Sequence, residues 1–168
     1  MRVARHERQV KMGLIDPKWK LSDRDSRAYD WATANHEHED LRMAVYAAMI
    51  DSMDQNIGRL MAALKKSGEA DNTLVLFLSD NGGCAEEPGG RSPKIVPGPR
   101  EFYAAVGPAW GWAQNAPFRR YKSWAHEGGI ATPCIAWWPR QIKANSITKE
   151  VGHIIDFMPT FLELAGGK

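Results

Sequence analysis

Residues 73–83 read TLVLFLSDNGG, and the fold turns on them. An unbroken apolar run from Leu74 to Leu78 stops at Ser79 and gives way at once to Asp80, Asn81, Gly82 and Gly83. A run this short and this apolar, backed by turn residues, predicts a β-strand buried on both faces. Its carboxyl end presents a carboxylate and an amide carbonyl side by side. In open α/β sheets, ligands bind in the crevice beyond the carboxyl ends of the strands. Two hard oxygen donors at that spot suit Ca²⁺ or Mg²⁺ better than a soft metal. The same residues also make an ordinary strand followed by an Asp-Asn-Gly turn, and both readings stand at this point.

Upstream, Leu41, Val45, Ala48, Met49, Met53, Ile57, Leu60, Met61 and Leu64 recur at spacings of three and four. That period predicts a long amphipathic helix over residues 36–67. Glu37, Glu39 and Asp40 crowd its first turn and Lys65 and Lys66 its last, as the helix dipole favours, and Gly68 is a natural stop. Met43, Met49, Met53 and Met61 read as core at this spacing rather than as a sticky partner groove. His36 and His38, two residues apart, face different directions on a helix and read as solvated surface. A helix, a tight turn and a buried strand make half of a βαβ unit. Residues 1–34 are polar and carry turn signals at Gly13, Asp16-Pro17 and Ser22-Asp23, which predicts an irregular surface segment.

Downstream, residues 84–120 form a long stretch rich in Gly and Pro, including Gly89, Gly90 and Pro93. It also holds Phe102, Tyr103, Trp110, Trp112 and Phe118, more aromatics than a disordered tail carries. It is expected to be an ordered rim over a pocket. Residues 121–138 then supply a turn with Lys122, His126, Glu127, Gly128 and Gly129 and a second short strand, Ile135 to Trp138, between Pro133 and Pro139. A short packed helix over 156–166 closes the chain, with Asp156 as its cap, Pro159 in its first turn and Gly166 at its stop.

The 168 residues suit one domain, 43% hydrophobic and 25% charged. A net charge of +2 gives no case for nucleic acid. No apolar run approaches the roughly 20 residues of a membrane span. The first residues lack the apolar region of a signal peptide, so the compartment stays open between periplasmic or secreted and cytoplasmic. Cys84 and Cys134 show neither a disulfide framework nor zinc spacing. The remaining chemistry is one metal-type pair, Asp80 and Asn81, and one cation in a Gly-rich turn, Lys122. An ammonium suits a tetrahedral oxyanion as a point charge. Metal and lysine together point to transfer of a phosphoryl or sulfuryl group.

Three blocks in order, FLSDNGG, YKSWAHEGGIATPCIAWWP and HIIDFMPTFLELAG, resemble the sulfatase family of the alkaline-phosphatase-like superfamily, nearest to bacterial arylsulfatases. The helix text RMAVYAAMIDSMDQNIGRL extends the resemblance over nearly the whole chain. It implies an α/β sandwich with a mostly parallel sheet flanked by helices, incomplete in this chain. It implies that Asp80 and Asn81 bind the divalent cation, usually Ca²⁺, and that Lys122 contacts the sulfate and the leaving-group oxygen. His126 would orient its turn, and His153 would pack or cap. The substrate would be an aryl or carbohydrate sulfate, attacked by a formylglycine made from Cys or Ser in a C/S-x-P-x-R motif.

That motif is absent here, as are the family's first Asp-Asp metal pair and its Pro-His block. The chain therefore reads as the carboxyl-side half of a sulfatase catalytic domain. Its expected partner is the amino-terminal half, and Met1 reads as an internal methionine or a gene-model start. Superfamily phosphodiesterases or phosphonate hydrolases, and a non-catalytic interaction module, are the alternatives. The HEGGIATP block favours the sulfatase, and retention of Asp80, Asn81 and Lys122 speaks against a bare scaffold.

Overall fold

A computed structural model describes residues 1–88, 92 and 94–167. The long helix forms as expected: α2 spans His36–Ser67. The Asn35 side chain caps it by accepting from the His38 N–H at 3.1 Å. Gly68, at φ 78°, ends it in a left-handed turn. There its N–H reaches Lys65 O at 3.2 Å while the Glu69 N–H reaches Leu64 O at 3.1 Å. That doubled closure satisfies carbonyls the helix itself leaves open. A 3₁₀ turn, Ala70–Asn72, leads directly into strand β1, Val75–Leu78.

The α/β class holds, but the ladder runs otherwise than expected. β1 pairs antiparallel with β2, Cys134–Trp137, in the register Val75 to Trp137 and Leu78 to Cys134. No parallel pair occurs among the described residues. β1 is also not buried on both faces: three of its residues are half-buried and Phe77 is 43% exposed. Burial of a strand on both sides needs a layer over each face, and among the described residues two strands make up the whole sheet.

The same shortage corrects the core reading of the methionines. Met43 and Met61 are half-buried, while Met49 and Met53 stand exposed, with Leu41 and Leu60 beside them on α2. The buried residues of this helix are instead Glu39 and Arg42, near its start. Helix α5, Phe157–Leu164, forms near the expected place but does not pack; Met158, Phe161, Leu162 and Leu164 are exposed. Its lead-in is fixed by a reciprocal box: His153 Nδ1 accepts from the Ile155 N–H at 3.2 Å, and Asp156 accepts from the His153 N–H at 2.7 Å. So His153 is a cap, and the Asp156 side chain bonds back to residue 153 rather than forward into α5.

The segment 1–34 is not an irregular surface strip. It opens with helix α1, Arg2–Lys11, and buries Arg2, Ile15, Asp25 and Ala28. The stretch 84–120 contains helix α3, Gly107–Gln114, started by Pro108, and buries Trp110. Gly89, Gly90 and Pro93 lie outside the described residues. The core forms where these two segments meet the start of α2. Its buried residues include the small apolar Ala28, Ala85 and Ala116 and the charged Arg2, Asp25, Glu39 and Arg42. Arg42 Nη1 lies 3.6 Å from both Glu39 and Glu87, and Glu39 accepts from Trp110 Nε1 at 2.7 Å. Buried charges persist only when paired in this way.

Monomeric proteins rarely leave large apolar patches or an unpaired strand edge in water, and α2, β1 and α5 expose many large apolar side chains. The purified chain is therefore expected to sediment as species heavier than its 18.8 kDa monomer at micromolar concentration. Changing Met49 and Met53 together to Lys should shift it towards monomer. A single sharp monomer boundary for the unaltered chain would count against this.

Candidate functional site

The turn after β1 and the turn before β2 are joined backbone to backbone. The Gly82 N–H donates to Gly129 O at 2.9 Å, and the Lys122 N–H donates to Gly83 O at 3.2 Å. Helix α4, Glu127–Ile130, carries Gly128 and Gly129, both buried. A Cβ on Gly82 would overlap the Gly128 carbonyl, and one on Gly128 would overlap the carbonyls of Arg119 and Arg120. Gly82, Gly128 and Gly129 are thus required by close backbone approach, whereas a Cβ on Gly83 would meet the side chains of Gln114 and Asn115. A third element locks the turn: the Gly83 N–H donates to Asn115 Oδ1 at 2.9 Å, and Asn115 Nδ2 donates to Gly111 O at 2.8 Å.

On one side of this joint sit the two oxygen-bearing side chains. Asp80 is exposed and Asn81 half-buried. Asn81 Nδ2 donates to Asp80 Oδ1 at 2.6 Å, and Ser79 Oγ donates to Asn81 O at 3.0 Å. That hydrogen bond uses the Asn81 amide nitrogen and one Asp80 oxygen, so the metal-type donors of the pair are the Asn81 side-chain carbonyl oxygen and the second Asp80 oxygen. In kind these fit a hard cation; in number they fall well short of the roughly 6–8 oxygens Ca²⁺ takes. Among the described residues no group of three or more His, Cys, Asp or Glu side chains converges as a metal cluster.

On the other side sits Lys122. Its ammonium lies 3.5 Å from Glu86 Oε2 and its side chain is 38% exposed. It is bracketed by two non-glycine residues in the left-handed region, Arg120 at φ 67° and Ser123 at φ 76°. Such backbone persists only where its surroundings hold it. Here Arg120 donates to Asp25 at 2.9 Å and stacks over Trp124 at 4.4 Å. Arg27 approaches Trp124 as well, at 5.0 Å. His126 lies against the same ring, centroids 6.3 Å apart, and its carbonyl accepts from the N–H groups of Gly129 and Ile130. It props the turn through that carbonyl.

Beside this turn opens a cleft of about 470 Å³, lined by Ser22–Ser26, Trp112, Arg119 and Arg120. Most of its charge is already neutralised: Arg120 pairs with Asp25, and Arg24 with Asp30 at 3.5 Å. Sequence reading missed Asp25, Glu86, Asn115 and Arg120. Asp25 and Arg120 stand 95 residues apart, so no spacing links them. Glu86 follows the DNGG run closely, and its charge next to that turn was the one available signal.

Comparison with known proteins bears on this arrangement. The family model described as Sulfatase matches residues 15–167. An uncharacterised sulfatase of Schizosaccharomyces pombe is 35% identical over 98% of this chain and 33% of its own length. The arylsulfatase of Klebsiella aerogenes is 35% identical over 74% of this chain and 29% of that protein. The N-acetylgalactosamine-6-sulfatase of Rattus norvegicus is 32% identical over 73% and 20%. Among solved structures, Ps i-CgsB in complex with k-i-k-neocarrahexaose superposes with a TM-score of 0.58 at 28% identity, over 83% of this chain and 27% of that one. This chain thus spans a third or less of the length of these relatives. With a family model matched from residue 15 to residue 167 across both joined turns, the chain belongs to the sulfatase family.

Proposed function

We propose that this chain supplies the cation-binding pair and the sulfate-contacting lysine of an arylsulfatase-type sulfuric ester hydrolase. One observation carries the reading: in a sulfatase-family chain, the Asp80–Asn81 turn and the Lys122 turn are hydrogen-bonded into one unit. Lys122 would hold an anionic sulfate oxygen and steady the charge that grows on the leaving oxygen. At about 4 Å an ammonium gains roughly 4 kcal/mol on such a charge at an effective dielectric near 20. Asp80 and Asn81 would contribute two oxygens to a divalent cation, Ca²⁺ rather than Mg²⁺, which polarises the sulfate when bound. The nucleophile would be a formylglycine outside this chain, since no C/S-x-P-x-R motif stands in it. The relatives named for N-acetylgalactosamine-6-sulfate and solved with neocarrahexaose favour a carbohydrate ester, and the arylsulfatase relative favours an aryl one.

The pure chain alone should release no 4-nitrophenol from 4-nitrophenyl sulfate and should bind Ca²⁺ more weakly than micromolar by calorimetry. Turnover by the chain alone would place the nucleophile within it and overturn that part. Fused to the amino-terminal part of a sulfatase domain, the chain should become active. Lys122→Ala should then lower kcat/KM by about 10²–10³-fold, the scale of losing one group that stabilises developing charge. An active fusion indifferent to Lys122→Ala would remove the lysine from the site.

A further inference from the structure

Lys122 already has a carboxylate at its ammonium. Glu86 Oε2 lies 3.5 Å from Nζ, on the segment that leaves the DNGG turn. That segment has little freedom. Ala85 is buried against Gly111, where an added Cβ would overlap the Ala85 methyl. Gly83 is held from both sides by Asn115 and Lys122. Glu86 is therefore presented to the lysine by a fixed backbone, while its own side chain, 56% exposed, can swing away.

We infer that Glu86 is a competing carboxylate that occupies Lys122 until a tetrahedral anion displaces it. This rests on the reading of Lys122 as the sulfate-contacting group. The chemistry is exchange of one anion for another on a single ammonium. A carboxylate and a sulfate oxygen cannot share that ammonium without two negative charges facing each other at close range. An exposed pair of this kind is weak enough to be displaced. Glu86 then sets how strongly the empty site resists small anions, and a dianion held by a nearby cation overcomes that resistance more readily than a monoanion.

The test is a titration of the 168-residue chain with inorganic sulfate at constant ionic strength, followed through the amide resonances of Gly82, Gly83 and Lys122. Glu86→Gln should tighten sulfate by about two- to fivefold, the range of an exposed ion pair. Its melting temperature should stay at the parent value. Lys122→Ala should abolish the response in either background. Unchanged or weaker sulfate binding by Glu86→Gln, with binding still dependent on Lys122, would overturn the competing role and leave the lysine's own role standing. Sulfate shifts that survive Lys122→Ala, or no shifts in the parent chain, would overturn both.

Discussion

Gly82→Ala is expected to break the joint between the two turns. The added methyl meets the Gly128 carbonyl and Gly129 Cα, backbone on both counts, so no side chain can rotate to make room. The turns must separate, and the Gly82–Gly129 and Lys122–Gly83 hydrogen bonds go with them. Two such bonds are worth about 1–3 kcal/mol together, and forced overpacking adds about 1–3 more. A loss of about 2–6 kcal/mol is a large share of the stability of a domain this size. Denaturant unfolding should show it as a lower midpoint. The amide shifts of Lys122 and of residue 82 itself, the two donors across the joint, should also move towards values of unpaired N–H groups even where the fold survives. Gly58→Ala, on α2 with nothing near its Cβ, is the control and should be neutral or slightly stabilising. A Gly82→Ala chain with parent-like stability and shifts would show that the turns are not held as described.

The features legible in the sequence are those with local causes. Helix α2 announces itself by period, by acidic and basic ends and by Gly68; β1 by an apolar run closed with Asp80-Asn81-Gly82-Gly83. Lys122 is tied to that turn mainly by the resemblance of its glycine-rich block to the sulfatase family, since a lysine in a bend is common on any surface. What stayed hidden depends on contacts between distant segments. Helix α1 is mostly Arg, His, Glu, Gln and Lys, with only Val3, Ala4 and Val10 apolar, and the residue it buries is an arginine, so no apolar period exposes it. Helix α3 reads Gly-Pro-Ala-Trp-Gly-Trp-Ala-Gln, and its Gly and Pro residues suggest a loop. The antiparallel register, the exposed methionines and the unpacked α5 share one cause. Periodicity shows which face a helix or strand wants to bury, but the described residues hold no layer to bury most of those faces against.

That hidden amino-terminal packing yields the second large effect. Arg2 is 8% exposed and its guanidinium works as a hub. It donates to Ser22 Oγ at 2.9 Å, to Pro117 O at 3.2 Å and to Trp112 O, and lies 4.1 Å over the Trp112 ring. Burial first, then repulsion from Arg5, pushes it down to about 10, so it stays charged at neutral pH. Arg2→Ala would strand the Trp112 and Pro117 carbonyls and detach α1 from the segment that leads to Lys122. Leaving a buried acceptor unsatisfied costs about 1–3 kcal/mol, and two carbonyls are left so here. Arg2→Lys should recover little, because one ammonium cannot span several acceptors in a fork or stack flat on the indole. Thermal melts at pH 7 should put both variants well below the parent, Ala lowest. Arg8→Ala, near the exposed end of α1, should leave the melt within about 0.5 kcal/mol of the parent. If Arg2→Ala melts with Arg8→Ala, the first helix is not anchored through this guanidinium, and the shape of the Lys122 turn must be explained without it.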